Sequence, residues 1–133
     1  MTARVLVVDD IVANVRLLEA KLQAEYFEVV TAMNGADALE IIQSDTPDIV
    51  LLDVMMPGQT VFEVCTHIRR HAHVDMAMIP VVLVTGLEDE ESVQMAFEVG
   101  ATSFIAKPVQ WSLLGHQVRY LLRSAATIAR AWR

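Results

Sequence analysis

Four short apolar runs, each closed by a polar residue, constrain this chain more than any other feature. Val5-Leu6-Val7-Val8 ends in Asp9-Asp10, and Asp48-Ile49-Val50-Leu51-Leu52 ends in Asp53. Ile79-Pro80-Val81-Val82-Leu83-Val84 ends in Thr85, and Ser103-Phe104-Ile105-Ala106 ends in Lys107-Pro108. Runs of this length, bounded by turn residues such as Pro57-Gly58, read as strands buried on both faces. Between them lie segments with helical periodicity. The first runs from about Val12 to Ala24, with Ile11, Val15, Leu18 and Leu22 on one stripe. A strand over Glu28 to Ala32 follows. Asn34 is placed to cap the next helix, which turns Ala38, Leu39, Ile41 and Ile42 inward. Further helices are expected over about Val61 to His71, over about Asp89 to Val99 with a stop at Gly100, and from near Val109.

Doubly buried strands alternating with amphipathic helices imply a parallel α/β sheet covered on both sides. Ligands of such sheets sit outside the carboxyl ends of the strands, at a switch in winding direction. Asp9, Asp10, Asp53, Thr85 and Lys107 all fall at those ends. Carboxylates, one hydroxyl and one ammonium gathered there suit a metal ion and a phosphoryl group.

At 133 residues the chain makes one domain with enough buried surface for a core. No run approaches the ~18 apolar residues of a membrane span, and the N-terminus lacks the pattern of a signal peptide. One cysteine makes no internal disulfide, which fits a cytoplasmic setting. A net charge of −7 argues against direct nucleic-acid binding and suits a divalent cation.

These motifs and their spacing resemble the receiver domain of two-component response regulators over about residues 3 to 124. They are the acidic pair, the acid before Met55-Met56-Pro57-Gly58, the Thr after an apolar strand, and Phe104-x-x-Lys107-Pro108. The start, Val7-Val8-Asp9-Asp10-Ile11 with Asn14-Val15-Arg16-Leu17-Leu18-Glu19, is similar to the first receiver of PleD-type diguanylate cyclases. The resemblance implies a flavodoxin-like (βα)5 doubly wound fold with five parallel strands in the order 2-1-3-4-5. It implies Asp53 as phosphoacceptor and Mg²⁺ held by Asp10 directly and by Asp9 mainly through water, with Asp53 and the Met55 backbone carbonyl completing the protein's share. It implies Thr85 and Phe104 as the switch pair, Lys107 as the phosphoryl's cationic partner, and backbone contacts from Met55 and Gly86. A histidine kinase or phosphotransfer protein would supply the phosphoryl group. The face made by the fourth helix, fifth strand and fifth helix would change on modification. That face, or the C-terminal helix, would support a homodimer.

The last segment carries a heptad seam, Leu114, Val118, Leu121, Ala125, Ile128 and Trp132. It reads either as a long helix packed on its own domain or as a signalling helix. The expected division is a receiver over 1–124 and a helical extension over 125–133, the start of a linker to an output domain such as a diguanylate cyclase. No cyclase motif lies in the chain itself.

Competing readings are weaker. A dehalogenase-type phosphohydrolase wants a second Asp two residues after the first, where Met55 stands. A binding module with vestigial phosphorylation would not need the full set of acids with Thr85 and Lys107. His67, His71 and His73 lack an accompanying acid or thiol at metal-ligand spacing, so they read with Arg69 and Arg70 as the exposed cationic end of a helix. Cys65, among apolar neighbours, reads as buried and inert. Glu88 to Glu91 read as the acidic start of a helix, with pairing to Arg119 or Arg123 of another copy as the alternative. Phe104 is expected in the core. Val61 stands where related sequences often have Gly, which predicts a reshaped loop after Gln59-Thr60. Met55 and Leu87, apolar at the pocket rim, are expected to slow attack by water and prolong the phosphoryl form.

Overall fold

The computed structural model describes residues 2–54, 60–86 and 90–131. Five strands form one parallel sheet: β1 (Arg4–Val8), β2 (Glu28–Ala32), β3 (Ile49–Asp53), β4 (Val81–Thr85) and β5 (Ser103–Ala106). Their order is β2-β1-β3-β4-β5. The helices are α1 (Val12–Ala24), α2 (Gly35–Ser44), α3 (Thr60–Arg69), α4 (Val74–Ala77), α5 (Glu90–Glu98) and α6 (Trp111–Ala131). The expected five strands, their order and the five long helices are present. The single turn α4 is an addition that its four residues were too few to announce by periodicity.

Alternation along the strands builds two cores. Leu6, Val8, Val50, Leu52, Val81 and Leu83 face α2, α3 and α5. Val5, Val7, Ile49, Leu51, Val82 and Val84 face α1 and α6. Every residue of the central strands β3 and β4 is buried, while the edge strands are half-covered. This is why β3 and β4 read as continuous apolar runs and why their polar terminal residues stand out.

Several local expectations need correction. Ile11 does not join the α1 stripe. It is the N-cap residue with an extended backbone and is 52% exposed, so the buried stripe begins at Val15. Val61 is the second residue of α3 and packs in the core without positive φ, and the loop before it, expected to be reshaped, lies over 55–59 outside the described residues. Phe104 is 44% exposed, because β5 is an edge strand and only Ile105 of its apolar residues is covered by helices. Its ring meets Phe97 of α5 edge-on at 6.4 Å.

Arg69 is also misplaced by pattern reasoning. It is half-buried, not at a free helix end. Its guanidinium donates to the carbonyls of Gly100 (2.9 Å), Ala77 (3.0 Å) and Ile79 (2.6 Å) and to Thr102 Oγ1 (3.0 Å). One side chain thus fastens α3, α4 and the turn into β5 below the amino end of β4. The last helix runs unbroken across residues 124 and 125. Leu114 and Val118 are buried against the sheet, and Leu121 packs beside them. The side chain of Ile128 and all of Trp132 lie outside the described residues.

Two helices end in the same way with different residues. After α5, Gly100 N–H donates to Phe97 O and Ala101 N–H to Ala96 O, with Gly100 at φ 114°. After α1, Tyr26 N–H donates to Gln23 O and Phe27 N–H to Leu22 O, with Tyr26 at φ 69°. Both are Schellman caps, but the second forces a side chain into left-handed backbone. That side chain is 88% exposed and gains no compensating burial. Tyr26→Gly should therefore raise stability by about 1 kcal/mol. Gly100→Ala, whose Cβ would lie 2.6 Å from Arg69 Cγ, should lower it by at least about that much. Urea unfolding midpoints at constant slope measure both.

Candidate phosphoryl-transfer site

The three acids arrive from two strand ends. Asp9 follows β1 directly and Asp53 is the last residue of β3. β1 and β3 pair in register up to Val8 and Leu52, so the two acids leave the sheet side by side. Asp10 follows Asp9 and is exposed. Asp9 and Asp53 are 2% and 3% exposed. One carboxylate oxygen from each of the three lies within 4.8 Å of the others. Among the described residues this is the one group of three or more acid, His or Cys side chains so disposed.

Thr85 and Lys107 come from the other side. Thr85 ends β4 beside Asp53 and is buried. Lys107 N–H donates to Thr85 O at 2.8 Å, which carries the chain end of β5 toward the acids. The Lys107–Pro108 peptide is cis. Lys107 Nζ lies 3.3 Å from Asp53 Oδ1. Gly86 follows Thr85 at the mouth of the site. The structure thus brings Asp9, Asp10, Asp53, Thr85 and Lys107 together. Met55 and Leu87 lie outside the described residues, and so do Glu88 and Asp89.

Electrostatics dominate this corner. The Asp9 carboxyl is raised above its usual range, first by burial and then by the Asp53 carboxylate. The Ile11 N–H, which donates to Asp9 Oδ1 at 2.9 Å, pulls the other way, as do the Asn14 amide and the Lys107 ammonium. Two buried carboxylates and a third at the rim repel one another, and a bound cation would offset their charge. The donor set fits Mg²⁺. It is all oxygen, the ligand type this hard ion takes, and one atom of each acid lies within 4.8 Å of the others.

The other sequence candidates carry less chemistry. His67 Nε2 lies 3.3 Å from Gln43 Nε2, and His71 Nδ1 accepts from His73 N–H at 3.0 Å; among the described residues these histidines join no group of three or more metal-ligating side chains. Cys65 is buried and its thiol is pushed up to about 11, which keeps it protonated and unreactive at neutral pH. Arg119 lies 3.5 Å from Glu25 of its own chain.

The whole chain compares closely with proteins of one class. Residues 5–119 match the response regulator receiver domain, and the chain belongs to that family. It is 51% identical over 128 residues to the response regulator PleD of Caulobacter vibrioides, covering 92% of this chain and 27% of that protein. It is 36% identical over 118 residues to the transcriptional regulatory protein AfsQ1 of Streptomyces coelicolor, covering 89% and 50%. The chain therefore spans about a quarter to a half of the length of these relatives. Among solved structures, the chemotaxis response regulator CheY4 of Vibrio cholerae superposes with a TM-score of 0.81 at 30% identity, covering 91% of this chain and 99% of that one. NtrX of Brucella abortus superposes at 0.86 and 28% identity, covering 98% and 30%. No described helix is long and apolar enough to cross a membrane.

A pH test follows from Asp9. A carboxyl held above its unfolded value is one whose ionisation the fold resists. That cost is absent well below the reference value of 3.8, grows as pH rises through it, and is complete above the folded value. In a chelator at pH 7, Asp9→Asn should therefore melt higher than the parent, since the amide oxygen still accepts from Ile11. The gap should close as pH falls below 4, and saturating Mg²⁺ should reverse it. Thermal midpoints across pH, with and without metal, check this.

Proposed function

We propose that this receiver domain accepts a phosphoryl group on Asp53 with Mg²⁺ bound beside it. The observation that carries the reading is the acid triad with oxygens within 4.8 Å, faced by Lys107 3.3 Å from Asp53. Asp10, Asp9 and Asp53 would hold the ion with the Met55 backbone carbonyl. When bound, the ion would offset charge on the transferring group. An Asp53 oxygen attacks phosphorus, the P–N bond to the donor histidine breaks, and the imidazole leaves with its electron pair. Lys107 then pairs with a phosphoryl oxygen, and the Thr85 hydroxyl and Gly86 backbone meet another.

The new group adds charge and three strong acceptors. Drawing Thr85 toward it opens space behind β4, and Phe104 is placed to enter that space. Its present exposure matches the outward position of such a switch. Inverting a 99:1 preference takes about 5.5 kcal/mol, within reach of several charge-assisted hydrogen bonds.

The partner is a histidine kinase or phosphotransfer protein in the cytoplasm. The domain is an acceptor with slow self-dephosphorylation at most, not a turnover enzyme. Self-association would use α5, β5 and α6 or the distal part of α6. Residues 1–124 form the receiver, and 125–133 begin a link to an output domain. The PleD match suggests a diguanylate cyclase there.

Incubation with a small phosphodonor and Mg²⁺ tests the reading by intact mass. One phosphoryl group per chain is expected, none in Asp53→Asn, and none in excess chelator. Lys107→Ala should slow formation by about 10²-fold. Continuous release of phosphate at enzymatic rates, or an adduct that survives Asp53→Asn, would refute it.

A further inference from the structure

Alternation puts Thr85 and Phe104 on one face of the sheet. Val81 and Leu83 belong to the core under α2, α3 and α5, so Thr85, two residues further along β4, is on the same side. β5 runs parallel to β4 with Phe104 opposite Leu83, which gives Phe104 that side as well. Ile105, its neighbour, is buried on the other face with α1 and α6. α5 covers the shared face through Val93 and Ala96. Phe97 comes next along α5 and stands 37% exposed at the border of that cover. Its ring meets the half-exposed ring of Phe104 with centroids 6.4 Å apart and planes at 86°. In this arrangement the positive edge of one ring is set against the negative face of the other. Neither ring is enclosed by the core, so the pair itself fixes where Phe104 rests.

We propose that Phe97 is a latch, its ring holding Phe104 outward and so restraining the unmodified domain from switching. This rests on reading Asp53 as the phosphoacceptor and Thr85 with Phe104 as the switch pair. Entry of Phe104 into the space behind β4 takes its ring away from the border of α5 and breaks the pair. A contact made in only one of two states biases the equilibrium by its full worth. By reciprocity it weakens, by the same factor, whatever binds the other state. An edge-on aromatic pair is worth about 2-fold to 10-fold in an equilibrium constant. The same contact ties α5 to β5, so its release frees the helix together with the ring.

Binding of beryllium fluoride, a tetrahedral stand-in for the phosphoryl group on a carboxylate, tests this in saturating Mg²⁺ by fluorine NMR. Phe97→Leu and Phe97→Met keep an apolar side chain and remove the ring, and melts in chelator establish that both are folded. Both should bind the mimic about 2-fold to 10-fold more tightly than the parent. Phe97→Tyr, which keeps the ring, should bind as the parent does. In a Phe104→Leu background, Phe97→Leu should change nothing, because there is no ring left to hold. A merely structural contact would lower the melt and leave the affinity alone. Parental or weaker affinity in both ring-less variants, or an equal gain in the Phe104→Leu background, overturns the latch while leaving Asp53 as acceptor. Failure of the parent to take the mimic in an Asp53-dependent way removes the acceptor and the latch together.

Discussion

Repulsion between carboxylates at the end of an apolar sheet governs this molecule. β1 and β3 are buried on both faces, so whatever stands at their carboxyl ends is partly desolvated by their own neighbours. Asp9 and Asp53 occupy those ends, and Asp10 adds a third negative group at the rim. Hydrophobic packing, which acts over the whole core, holds the acids where their charges oppose one another. Among the described residues, Lys107 faces them from the end of β5, and a hard divalent cation bound there would offset their charge. Asp9 takes a hydrogen bond there from the Ile11 N–H at the start of α1.

Much of this could be read before any coordinates. The central strands were visible because double burial removes polar residues from them, so the sole exceptions marked the site. Strand order could not be derived from periodicity and came from the family resemblance. The errors cluster at edges. Phe104 looked like core because apolar residues in a short run look alike, and nothing in the run tells an edge strand's open face from its covered one. Ile11 fitted a stripe numerically but stands outside the helix. Arg69 fitted a helix-dipole argument, yet its partners are carbonyls up to 31 residues away in sequence.

The two ends of the sheet are built for different purposes. Away from the acids, Arg69 joins two helices and a turn with four hydrogen bonds, and burial lowers its pKa without threatening its charge. On the edge strand β5, the Phe104 ring lies half in solvent against Phe97. A fixed lower end means that a charge event at the upper end moves side chains and helix ends while the sheet keeps its register. Such a division suits a two-position device, since packed interiors shift between discrete arrangements more readily than they bend.

The unbroken α6 gives that device mechanical reach. Its 21 residues extend about 31 Å, against about 17 Å for a five-residue strand. Leu114, Val118, Leu121 and Leu122 hold it to the sheet, and Ala125 and Ala126 line the same cavity as Ala3 and Pro80. A tilt of about 10° about its first turn would displace the far end by about 5 Å, a whole helical pitch. Repacking beside β5 would thus reach the opposite end of the sheet through one continuous helix.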